Sequence, residues 1–225
     1  MNFKPILFST EMVKAILSGN KVQTRRVVKE NHQPVKIPDK NEFIMDLGIC
    51  PYGKVGDVLW VRESHYAYGI WLKNGKTKTG KQKWKFVKDK AYTSVAYIDN
   101  PPKEVLKNTE REIHGWFKRS SLFMPKEACR LFLKIKDRRV ERLHEITEGD
   151  AQKEGVLKDV KLPVANFQTK IIYRNYYSKS DSVGCADARS SFMTLWKNIN
   201  GEESWNSNPW VWVIEFERIE KPENF

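Results

Sequence analysis

The chain is 225 residues long and 40% hydrophobic, enough for one large domain or two small ones with a real core, which excludes a disordered chain. Forty Lys and Arg against 28 Asp and Glu leave a formal charge of +12. That excess makes RNA, DNA or nucleotides the leading partners, although a basic surface that only aids solubility has the same composition.

In chain order, Pro5 to Phe8 reads as a short buried strand, and Ser9 or Thr10 then offers an oxygen to cap a helix. Met12, Val13, Ile16 and Leu17 recur at helical spacing, and Gly19-Asn20 supplies a left-handed stop. Thr24 to Val28 resumes in extended form, which leaves Lys21 and Gln23 in a tight loop. Residues 29 to 55, with Pro34, Pro38 and Pro51, predict a loop crossing the surface. Val58 to Glu63 reads as a central strand. Residues 73 to 90 carry eight lysines, opposed only by Asp89 and interleaved with Trp84 and Phe86. They predict a flexible basic hairpin, which is either a solvated β-ribbon or an arm that contacts phosphates, with Lys83, Trp84 and Lys85 as its candidate ligand residues. Tyr92 to Tyr97 predicts a further strand.

Leu131, Leu133 and Ile135 alternate with Phe132, Lys134 and Lys136, the period of a strand that continues toward Leu143. Thr147-Glu148-Gly149-Asp150 resembles a capping sequence and opens a short helix through Glu154, ended by Gly155. Residues 158 to 186 form a polar stretch in which Tyr173, Tyr176 and Tyr177 are candidate base-stacking rings. Phe192, Leu195, Trp196 and Ile199 mark an amphipathic helix, and Trp210 to Phe216 a last strand. Trp60, Trp196, Trp210 and Trp212 read as packing rather than as stacking platforms.

Cys50, Cys129 and Cys185 are too widely spaced for a disulfide framework, and no Cys or His cluster has zinc spacing, so a reducing compartment without a metal is expected. No apolar run approaches the length of a membrane span or a signal-peptide core, and a cytoplasmic location follows as an expectation.

Gly19 to Arg26 gives the pattern G-x-K-x-x-T-x-R between a first helix and a second strand. In that place it resembles the ASCH family of the PUA-like superfamily, whose signature is G-x-K-x-x-E-x-R, with Lys21 and Arg26 on the basic positions. Thr24 stands where most members carry Glu, a change shared with the branch of bacterial N4-acetylcytidine amidohydrolases. Thr147 to Glu154 is similar to the T-E-x-x-A-x-x-E stretch that ends near the catalytic Glu of that branch. Gly56 to Leu59 and Trp212 to Phe216 follow the family's order as well. The resemblance covers about half the chain. It implies an α+β fold, a PUA-like β-barrel flanked by short helices, as a single domain over residues 1–225 with long insertions near 64–125 and 156–185. The opening P-I-L-F-S-T and the ending Asn-Pro-Trp-Val-Trp-Val also resemble phage-encoded members, which implies a bacterial host cell.

The resemblance further implies Lys21, Thr24 and Glu154 as catalytic residues, with Arg25 and Arg26 binding the ligand and no cofactor. Amide hydrolysis needs a nucleophile, a base and an acid. Thr24 would attack an acyl carbon, Lys21 would take its proton with a pKa lowered by burial and by the neighbouring arginines, and Glu154 would donate to the leaving amine. The expected partner is a nucleic acid or a modified nucleoside such as N4-acetylcytidine. Other readings stay open: a noncatalytic RNA or DNA reader of modified bases, a ribonuclease, or a phage accessory or morphogenetic factor. Each named residue also has a plain structural role open to it: anion binding for Lys21 and Arg26, strand formation for Thr24, and a surface ion pair for Glu154.

Overall fold

A computed structural model describes residues 1–29, 32, 35–36, 43–44, 50–91, 95–161, 170–177 and 184–225. The fold is mixed α+β, mostly strands in open sheets. In chain order the elements are β1 (Phe3–Leu7), α1 (Thr10–Leu17), β2 (Gln23–Val27), β3 (Val35–Lys36), β4 (Phe43–Ile44), β5 (Val58–Arg62), β6 (His65–Lys76), β7 (Gln82–Lys88), β8 (Val95–Tyr97) and β9 (Gly115–Arg119). There follow β10 (Phe132–Arg142), α2 (Glu148–Lys153), β11 (Lys158–Lys161), β12 (Lys170–Tyr173), α3 (Ala188–Asn200), α4 (Glu202–Asn206) and β13 (Trp210–Ile219). The chain divides into two compact units, the first comprising residues 1–4, 14–59 and 132–225 and the second residues 5–13 and 60–131.

The first unit is organised on a five-stranded sheet in the order β1-β5-β10-β13-β2, to which it contributes the start of β1 and of β5. Val211, Val213 and Ile214 on β13 are fully buried because the strand lies between β10 and β2. The register sets Thr24 opposite Ile214 and Arg25 opposite Val213. A core of Leu143, Ile146, Ala151, Phe192, Trp196 and Val213 fixes α2 and α3 within this unit. Helix α2 has only six residues and is marginal alone. Capping compensates: Thr147 Oγ1 accepts from Asp150 N at 3.1 Å, and Ala151 is fully buried beneath it. Glu148, one position along, accepts from the backbone N–H groups of Ala188 (2.8 Å) and Arg189 (3.1 Å), so it secures the first turn of α3.

Asp57 closes the turn before β5. Its Oδ1 accepts from Asn2 N at 2.8 Å and its Oδ2 from Lys54 N at 3.1 Å. Burial pushes this carboxyl up, but the two N–H donors outweigh it and hold the group below its ordinary value.

In the second unit β6 pairs antiparallel with β7, β8 and β9. Trp71, Phe86 and Phe117 pack edge to face with centroids 5.4 to 6.4 Å apart, and Phe117 is fully buried. Arg130 clamps this unit with a bidentate pair to the buried Glu63 (2.8 and 2.9 Å) and another to Asp99 (2.7 and 2.8 Å), over the ring of Tyr97 at 3.9 Å.

Several sequence expectations shift. The basic stretch over 73–90 is an ordered β-ribbon, β6 and β7, turning at Thr77 to Lys81. Of the surface loop over 29–55, the short pair β3 and β4 is seen, and most of the remainder lies outside the described residues, as do 92–94 of the strand expected over 92–97. Tyr173 is buried, since its backbone bridges Cys185 and its ring joins the core, so it offers no face to a base. Ile199 is exposed at the end of α3, and α4 was not anticipated.

Candidate functional site

Lys21 and Glu154 lie 133 residues apart in sequence and meet in a buried ion pair, Nζ to Oε2 at 2.7 Å. Backbone geometry brings them together. After α1, Lys21 N donates to Ala15 O (3.0 Å), Val22 N donates to Lys153 O (2.9 Å), and Lys21 and Glu154 form an antiparallel bridge. Gly155, at φ +84°, makes the approach possible: a Cβ there would stand 2.8 Å from Lys21 Cβ and 3.0 Å from Ala15 Cβ. Lys21 Nζ also donates to the carbonyl of Glu154 at 2.9 Å, so two acceptors on one residue fix the ammonium.

The other carboxylate oxygen of Glu154 accepts from Arg25 Nη1 at 3.1 Å. Arg25 also donates to Glu141 Oε1 from Nε (3.1 Å) and Nη2 (2.5 Å) and lies 3.4 Å from Asp150. Arg139 spans Glu141, Glu215 and Asp150 at 3.0, 3.2 and 3.2 Å, and Lys153 reaches Glu215 at 3.3 Å. With its amide nitrogen toward the carboxylates, Gln23 donates to Glu215 (3.0 Å) and Asp150 (3.1 Å) and accepts from Arg25 (2.6 Å). Four cations (Lys21, Arg25, Arg139 and Lys153) thus face five carboxylates (Asp137, Glu141, Asp150, Glu154 and Glu215), an island without excess positive charge in a chain of net charge +12.

Burial dominates the electrostatics of Lys21. Desolvation pushes its ammonium below the ordinary value, Glu154 opposes this, and Arg26 and Arg25 reinforce it. Arg26 is likewise lowered by burial, opposed by Tyr52 and Glu154. Asp150 is pushed up by burial but held below its ordinary value by Thr147, Arg25 and Arg139. Perturbed groups gathered in one place mark a candidate site for acid and base chemistry.

The structure brings together Lys21, Arg25 and Glu154, with Arg26 within their electrostatic reach. Thr24 is 1% exposed on β2, and strand alternation turns it to the face opposite Gln23 and Arg25. Among the described residues no hydrogen bond links Thr24 Oγ1 to Lys21 or Glu154. Arg25 is fully engaged by carboxylates within the chain rather than presented to a ligand. Lys83, Trp84 and Lys85 lie on β7 of the second unit, the two lysines exposed and the Trp84 ring half-buried beneath Arg111 at 5.2 Å. A hollow of about 350 Å³ in the first unit is lined by Glu148, Asp187, Arg189, Ser190, Met193 and Trp205, none of them a candidate catalytic or ligand-binding residue in the sequence reading.

Sequence reasoning missed Glu141, Arg139, Asp150, Glu215 and Gln23. Glu215 carried a signal, a single carboxylate inside the apolar run Trp212-Val213-Ile214-Glu215-Phe216. Among the described residues no His, Cys, Asp and Glu group is arranged to hold a metal ion, and no helix is long and apolar enough to cross a membrane.

Fold and site together define an α+β protein with a cluster of ion pairs centred on the buried Arg25. Comparison with family models, with curated proteins and with solved structures returns no match to this chain.

Proposed function

We propose that this chain is a PUA-like protein of the ASCH type that binds a modified pyrimidine nucleoside and hydrolyses its exocyclic amide, N4-acetylcytidine being the representative substrate. The observation that carries the reading is the Lys21–Glu154 pair: a wholly buried lysine, its pKa lowered, held at 2.7 Å by a carboxylate from a distant helix end. In its neutral form, which burial favours, a lysine so placed takes a proton from an oxygen nucleophile as that oxygen adds to the acyl carbon. The same Nζ then returns the proton to the departing exocyclic nitrogen, the C–N bond breaks and cytidine leaves; the acyl group departs as the free carboxylic acid when the nucleophile is water, or stays as a threonyl ester that a second water must hydrolyse when it is Thr24. Thr24 as nucleophile requires its hydroxyl to reach the acyl carbon from the other face of β2; a water deprotonated by Lys21 does not.

The test is turnover of N4-acetylcytidine, followed as release of cytidine. Lys21→Ala is expected to lower kcat/KM by about 10²–10⁴-fold. Thr24→Ala separates the two nucleophiles, because a water mechanism survives it. Undiminished turnover by Lys21→Ala removes the lysine from its role.

A second reading, a noncatalytic binder of modified bases, is favoured by the position of Thr24 and by the engagement of both Glu154 oxygens by cations. It predicts saturable nucleoside binding to the wild type with no cytidine released.

A further inference from the structure

Among the described residues, three buried side-chain nitrogens lack a hydrogen-bond partner: Arg62 Nε, Trp71 Nε1 and Arg111 Nη1. All three are donors and all belong to the second unit. Buried polar groups are nearly always paired, and two of these donors are neighbours, the Arg111 guanidinium lying 4.6 Å from the Trp71 centroid, which points to an acceptor supplied from outside the chain.

The surroundings favour an anion. The guanidinium carbons of Arg111 and Arg119 lie 4.6 and 4.7 Å from the centroid of the Trp71 ring, and Arg119 is also 4.3 Å from that of Phe86. Neither arginine has a carboxylate within ion-pair distance among the described residues. The nearby Glu112 is paired instead with Lys73 at 3.3 Å. Burial alone lowers the pKa of Arg119, with no carboxylate to oppose it. Stacking holds the planar forks in place but leaves their N–H edges unspent, the arrangement suited to bidentate capture of a phosphate.

Beside them an aromatic ring faces outward. Phe123 is 61% exposed, and Arg119 stands 4.9 Å from its centroid. Arg62 Nη2 donates to the carbonyl of Leu122 and so fixes the turn that presents the ring. The ribbon of β6 and β7 in this unit adds eight lysines against one aspartate over residues 73–90. Phosphate donors, an open stacking ring and a basic field describe a surface for a strand with unpaired bases.

We propose that the second unit carries a docking site for single-stranded nucleic acid, in which Arg111 and Arg119 donate to backbone phosphates and Phe123 stacks on a base. The site is independent of the chemistry proposed for Lys21. A labelled oligothymidylate of about a dozen nucleotides, titrated with the full chain and followed by anisotropy over a range of salt, tests it. The double variant Arg111→Met, Arg119→Met is expected to weaken binding by at least about tenfold and to flatten the salt dependence by about 1.4 in the log–log slope. Phe123→Ala, a change at an exposed ring that does not endanger folding, should weaken binding roughly tenfold with the slope unchanged. A charge-matched control, Lys4→Gln with Lys134→Gln, should bind as the wild type. Equal binding by the Phe123 and double-arginine variants overturns the site. So does equal affinity for a duplex of the same length, or displacement at constant ionic strength by inorganic phosphate or polyglutamate as readily as by unlabelled strand.

Discussion

The cluster around Arg25 and the cage around Trp71 both draw arginine side chains at least partly out of water, and they balance that in opposite ways. In the first, each guanidinium meets carboxylates from the same chain, and every charge has its counter-charge within about 3.9 Å. In the second, Arg111 and Arg119 rest on aromatic rings, and the donors outnumber the acceptors. A self-paired cluster specifies a geometry and resists change, because removal of one partner strands another charge in low dielectric. A cage with spare donors loses little when altered, and its cationic groups stay available to a partner. Position within the fold says less about the role of a buried arginine than whether its counter-charge is internal.

That contrast can be broken most directly at Glu154. Replacing it with Ala leaves Lys21 and Arg25 without their shared carboxylate and is expected to cost about 3–5 kcal/mol in urea unfolding. A loss below about 1 kcal/mol would mean that the pairs contribute nothing to stability beyond what water supplies. Gly155→Ala comes next, at roughly 2 kcal/mol, since the new methyl both strains a φ of +84° and crowds Lys21 Cβ at 2.8 Å. If the variant proves as stable as the wild type, the close approach of these two segments is not tight in solution. Asp57→Ala should cost about 1–3 kcal/mol by leaving two N–H donors unmet. Its carboxyl has a folded value below the ordinary 3.8, so its contribution is full above that pH and is lost as pH falls through the folded value. The acid limb of the wild-type stability curve should therefore be steeper than that of the variant. Least affected is Arg119→Met, expected within about 1 kcal/mol of the wild type, the scale of its ring contacts. A larger loss would show a structural counter-charge for this arginine.

Lys21 adds a test of the same contrast at high pH. Its folded value lies below the ordinary 10.5, so between the two the unfolded chain binds more protons. Stability gains from this group as pH rises across that interval, and a Lys21→Met variant should lack the gain.

Local signals carried much of this. The helix over Thr10 to Leu17, the left-handed stop at Gly19 and the cap at Thr147 follow from residue types only a few positions apart. The meeting of Lys21 with Glu154 rested on a motif resemblance, since spacing cannot place residues separated by 133 positions. Glu141 and Arg139 were illegible because they enter the cluster through the pairing of β10 with β13, whose register shifts between Ile135 and Asp137. Tyr173 looked like an open ring because its polar neighbours conceal the bridge to Cys185. Helix α4, five residues long, is below the length at which periodicity can be read.

The clasp of Lys21 by a segment 133 residues downstream also sets when the protein acquires its centre. During synthesis the lysine emerges early and waits until the stretch beyond Glu154 has left the ribosome. A nascent chain halted before that point carries the G-x-K-x-x-T-x-R loop but not the residue that grips it. The pair is therefore a mark that translation has passed Glu154 as much as a mark of correct folding.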